Sequence, residues 1–114
     1  MSERPGYKNH PLWIHAMSLT RDAYALAERL RESEPETGLR LRKAAVAVPA
    51  HVASALASGS GKRLEHMLAA RAALAEVSRQ AGRIRAPGFE ELARAAESLD
   101  RAVLFEFGAA EAVS

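Results

Sequence analysis

Apolar residues recur along this chain at alternating intervals of four and three, the spacing that gathers side chains on one face of an α-helix. Over about residues 11–31, Leu12, Ala16, Leu19, Ala23, Leu26 and Leu30 keep that interval, and at about 100° per residue they lie within about 40° of one line. Pro11 suits the first turn of a helix, and Asn9 is the expected cap. Trp13, Met17 and Tyr24 fall about 100 to 140° round from the line, too far for one bundle core to absorb both sets.

The pattern then repeats three times. A second helix, over about 38–57 with Thr37 as its expected cap, carries Leu41, Ala45, Val48, Val52 and Leu56. Pro49 removes one backbone hydrogen bond from it, so a kink rather than a stop is expected, because the apolar pattern continues in phase beyond. The stretch Ser58-Gly59-Ser60-Gly61 reads as a loop. A third helix, about 62–85, aligns Met67, Ala70, Leu74, Val77, Ala81 and Ile84, with Leu64 and Leu68 widening the stripe. Arg71 falls inside that stripe, its stem expected along the core with the guanidinium reaching out or pairing with a carboxylate; the alternative is an arginine facing a pore or ligand. After Ala86-Pro87-Gly88, a fourth helix over about 89–107 aligns Phe89, Leu92, Ala96, Leu99 and Val103, and Phe105 projects nearly opposite. The tail from Gly108 to Ser114 is expected to be loose. The reading is one all-α domain, an antiparallel up-down four-helix bundle.

Composition sharpens this picture. Of 114 residues 25 are alanine and only six are aromatic. Alanine seams let helices approach closely but bury little apolar area, which argues for further burial by self-association. Trp13, Met17, Tyr24 and Phe105 are the candidate interface residues. With no cysteine there is neither a disulfide nor a thiolate metal site. No run is long and apolar enough for a membrane span, and Met1 to Gly6 lacks the apolar core of a secretion signal, so a cytoplasmic location is expected.

The formal charge of +2 is unevenly spread. Residues 37–85 hold nine basic and two acidic side chains, while residues 86–114 hold two basic and six acidic. Antiparallel packing brings Arg40, Arg42 and Lys43 at the start of helix two beside Arg79, Arg83 and Arg85 at the end of helix three. Such a cluster is the candidate site for salt-sensitive binding of RNA or DNA. The plainer alternative is a solvated end paired with Glu32, Glu34 and Glu36. No aromatic residue interleaves with these cations, so base stacking has little support.

Catalytic chemistry finds no frame. His10, His15, His51 and His66 offer no His-x-x-x-His pair and no Glu-x-x-His motif, so sequence spacing suggests no metal site. Gly59-Ser60-Gly61-Lys62 lacks the strand and spacing of a phosphate loop. No enzyme activity, cofactor or small-molecule substrate is expected.

The stretch Gly38-Leu39-Arg40-Leu41-Arg42-Lys43-Ala44-Ala45-Val46-Ala47-Val48-Pro49-Ala50-His51-Val52-Ala53 resembles the signature of a bacterial four-helix-bundle family encoded in intervening sequences of 23S ribosomal RNA genes. Trp13, Ala16, Met17, Leu19 and Tyr24, and the segment from Ala70 to Glu76, are similar to two further family patterns. The resemblance covers about residues 7–105. It implies a left-handed antiparallel bundle assembled as a ring of five subunits. A related branch, the accessory variability proteins of diversity-generating retroelements, implies binding of nucleic acid and a reverse transcriptase. The chain departs from the family at His51, Ser54 and Ala55, where members carry asparagine, glutamate and glycine, and at Ala72-Ala73, where they carry Gly-Ser. From the resemblance, a homo-oligomeric, pentameric, non-enzymatic protein is expected, with a nucleic-acid accessory role as the alternative.

Overall fold

The fold was obtained as a computed structural model that describes residues 6–108. Its helices are α1 (Pro11–Glu28), α2 (Pro35–Ala57), α3 (Ser60–Gly82) and α4 (Phe89–Val103). A turn of 3-10 helix, Tyr7–Asn9, precedes α1, and a π-helical turn, Leu104–Gly108, extends α4. Among the described residues there is no strand, and the helices pack on one another as an all-α four-helix bundle. No described helix is long and apolar enough to cross a membrane. Residues 109–114, where most of the expected loose tail falls, lie outside the described part.

Three helix starts differ from the sequence expectation, the first being α3, which begins at Ser60 so that Ser60 and Gly61 are helical and only Ser58-Gly59 links it to α2. His10, not Asn9, caps α1: its Nδ1 accepts from the Leu12 N–H at 3.1 Å, supplying one of the acceptors that the first turn lacks. Thr37 is a buried residue inside α2, which begins at Pro35 after Glu34. Pro35 takes the same first-turn place as Pro11, where a missing N–H costs nothing. At α4 the chain turns through Gly88 at φ +96°, a left-handed conformation that favours glycine. The Gly88 N–H then donates to Glu91 Oε1 at 3.0 Å.

The inner lines are buried largely as read. Leu12, Ala16, Leu19 and Ala23 face Leu41, Ala45, Val48 and Val52, while Met67, Ala70, Leu74 and Val77 face Phe89, Leu92, Ala96 and Val103 in one continuous core. Ala27, Ala55 and Phe107 join them. Leu64 and Leu68 do not widen the inner stripe of α3; both are exposed. Their direction from the Met67 line is about 100 to 140°, toward the outer α3–α4 groove. Arg71 lies half-buried and forms a bidentate pair with Asp100, Nε to Oδ1 at 2.8 Å and an Nη to Oδ2 at 3.1 Å. That pair ties α3 to α4 and accounts for an arginine within an apolar stripe. The Asp100 hydrogen bonds hold the guanidinium more firmly protonated than usual.

The helix α2 runs through Pro49 to Ala57 without a stop. Proline leaves the carbonyl of Ala45, four residues earlier, without its helical donor. The Thr20 hydroxyl of α1 donates to that carbonyl at 3.0 Å, sharing its single proton with Ala16 O at 2.9 Å. A neighbouring helix thus satisfies the acceptor that the proline orphans. Thr20→Val keeps the shape and removes the donor, and we expect it to destabilise the fold by about 1 to 2 kcal/mol. In a Pro49→Ala background, where residue 49 regains its N–H, the same change should cost measurably less. Chemical denaturation of the four chains in this cycle checks the coupling.

Candidate functional site

The register of α1 against α2 is set at two points. Thr20 bonds the Ala45 carbonyl, and a Cβ placed on Gly38 would lie 3.1 Å from the Ala27 carbonyl oxygen. Helices this close leave no inward room beside the contact for a large ring. Continuing outward from the contact, α1 presents Trp13, Met17 and Tyr24 and α2 presents Leu39 and Val46, all about 100 to 160° from their own core lines and on the same side of the pair. Trp13 is half-buried, packs against the core, and meets Tyr7 edge-on at a centroid separation of 5.5 Å. Met17 is also half-buried. Tyr24, Leu39 and Val46 remain 45%, 45% and 48% exposed.

The outer α1–α2 face therefore carries aromatic and aliphatic side chains along most of the length of the bundle, with Arg42 between Leu39 and Val46. Three of the four candidate interface residues sit on it. Phe105, 77% exposed on the π-helical turn, does not share this face; it lies near exposed Leu104 at the far end of α4. Leu39 and Val46 were missed as surface candidates. The phase criterion that singles out Trp13 and Tyr24 on α1 finds both of them when applied to α2.

A second feature joins α2 to α3. Glu76 accepts from Gln80 Nε2 at 2.7 Å and from the Arg79 guanidinium. Hydrogen bonds from Gln80 and then Arg79 hold its carboxyl below the usual range, with the charges of Arg79 and Arg40 adding to the effect. Of the six candidate cations, Arg79 pairs with Glu76, and Arg40 acts on that carboxylate through its charge alone. Arg42 lies two residues on from Arg40, about 200° round the helix and on the α1 side. Lys43, Arg83 and Arg85 are exposed, and among the described residues none of Arg42, Lys43, Arg83 and Arg85 forms an ion pair. Glu32, Glu34 and Glu36 pair with none of the six among the described residues. Antiparallel packing brings the two ends together, but the cations point several ways.

A groove of about 330 Å³ follows the seam between α1 and α4, with Leu19 and Leu99 on its floor and His15, Ser18, Asp22 and Ser98 at its rim. None of the candidate residues lines it.

Compared with protein-family models, curated proteins and solved structures, the chain matches none.

The Glu76 cluster has a defined acid dependence. A carboxyl held below its unfolded value stabilises the fold above that value and loses the contribution as pH falls through the folded value. Glu76→Gln should therefore lower the melting temperature at neutral pH, and the gap to the parent chain should close in acid below the ordinary carboxylate range. Thermal melts of both chains across that range check it.

Proposed function

We propose that this chain is a non-enzymatic helical-bundle protein that works by assembling with copies of itself, and that the outer α1–α2 face is the surface buried on assembly. The observation that supports the reading most is the exposure of Tyr24, Leu39 and Val46 beside half-buried Trp13 and Met17. Several large apolar side chains grouped on one exposed face mark interaction surfaces, and tryptophan and tyrosine are the residues that most often anchor interfaces. The resemblance in the α2 sequence adds five as the expected number of subunits. A closed ring requires each copy to contact its neighbour through two different surfaces, and Leu64, Leu68 and Leu104 offer exposed apolar side chains on the α3–α4 side.

Light scattering across a concentration series tests the proposal. The expected mass is five times the 12.3 kDa of one chain, and a strict monomer at high micromolar concentration overturns the reading. Tyr24→Glu and Val46→Glu should each reduce the mass toward a single chain while leaving helicity by circular dichroism unchanged. Equal loss of assembly and helicity would instead make these residues part of the protomer core.

A second reading, binding of RNA or DNA as an accessory protein, is favoured by exposed Lys43, Arg83 and Arg85, which form no ion pair among the described residues, near the end where α2 begins and α3 closes. Phosphate contacts there predict affinity that falls steeply with salt and with Arg40, Arg42 and Lys43 changed to glutamine. Binding measured at two salt concentrations, and indifferent to both changes, would count against it.

A further inference from the structure

Of the four histidines, two have evident structural roles or surroundings. His10 caps α1 and approaches Glu106, Nε2 to Oε2 at 3.6 Å; His15 stands at the rim of the α1–α4 groove. His51 and His66 are different. One lies late in α2 and the other early in α3, and antiparallel packing across the Ser58-Gly59 turn brings their rings to a centroid separation of 6.1 Å with planes 30° apart. Both are half-buried, and neither imidazole has a hydrogen-bond partner in the protein among the described residues. The nearest cation along α3, Arg63, is turned to the end of α2, where it donates to the Ser58 carbonyl at 3.0 Å.

The ring separation falls within the range spanned by two imidazoles that share one ion. With metal–nitrogen bonds of about 2.0 to 2.1 Å, rings sharing one ion have centroids about 5.2 Å apart at the tetrahedral angle and about 6.4 Å apart when opposed across the ion. The observed 6.1 Å lies between these and nearer the second. Tetragonal ions accept an opposed nitrogen pair, whereas a tetrahedral ion needs the rings to close by almost an ångström. No group of three or more His, Asp or Glu side chains gathers around a common point among the described residues, so water completes the coordination.

We propose that His51 and His66 form a binding site for a divalent late-transition-metal ion, with Cu²⁺ and Ni²⁺ held more tightly than Zn²⁺. The site bridges α2 and α3 beside their connecting turn, and a bound ion braces that joint. It involves none of the α1–α2 face, so it stands or falls separately from self-association.

Calorimetric titration of the full chain with NiCl₂ and then CuCl₂ at mildly alkaline pH tests the site. The expected result is one ion per chain, with His51→Ala and His66→Ala each weakening Ni²⁺ binding by about tenfold or more. His15→Ala should leave it unchanged. Alanine suits helix interiors, and circular dichroism of each variant verifies the fold independently of metal. The electron paramagnetic resonance spectrum of the Cu²⁺ form should carry hyperfine structure from two imidazole nitrogens, reduced in either variant. No uptake at millimolar Ni²⁺, binding by the two variants within about twofold of the parent, or an equal loss in His15→Ala would overturn the proposal.

Discussion

The close approach of α1 and α2 is the constraint from which the other features follow. Ala27 and Gly38 meet where a Cβ on the glycine would stand 3.1 Å from a backbone oxygen, and only at such range does the Thr20 side chain reach the backbone of α2 at Ala45. Small residues at a crossing permit this approach, and the approach allows a proline inside α2 without leaving its orphaned carbonyl unpaired. Helix propensity, packing and polar satisfaction are therefore coupled through one crossing.

That crossing also decides where the large side chains go. Alanines occupy inner positions on every helix, including Ala16, Ala23, Ala45, Ala70, Ala81 and Ala96, and they make a tight but thin core. Trp13, Met17 and Tyr24 find no inward space on the α2 side of α1 and flank the pair outside. The apolar face is thus a by-product of close packing within the chain, and the proposed assembly would recover hydrophobic stabilisation that the alanine seams forgo. Near the same start of α2, Glu76 of α3 gathers Gln80, Arg79 and the charge of Arg40. This arrangement neutralises part of the basic excess within the fold.

The fold was legible in the sequence because the four-and-three spacing of small and aliphatic residues leaves few alternatives, and the buried lines from Leu12, Leu41, Met67 and Phe89 onward follow it. Helix ends were less legible. His10 accepts from the Leu12 N–H through a ring nitrogen, a capping role that the usual Ser, Thr, Asp and Asn preference does not anticipate. Pro35 lies outside the second helix as expected from about residue 38, although it sits in the same first-turn position as Pro11. Leu64 and Leu68 were placed inward because a periodic stripe has no sharp edge, and α4 leaves their side uncovered. The Arg71–Asp100 pair, the Thr20–Ala45 bond and the meeting of His51 with His66 join residues on different helices, and spacing along one chain carries no information about them.

Trp13 is the single tryptophan and stands on the face in question, which makes its fluorescence the most direct measure of the central claim. Emission and quenching by iodide should be recorded from nanomolar to high micromolar chain concentration. Burial against copies predicts a shift of emission to shorter wavelength and loss of quenching as concentration rises, reversed by Tyr24→Glu. Emission and quenching that stay constant across the whole range, in a chain that remains a monomer throughout, would contradict it.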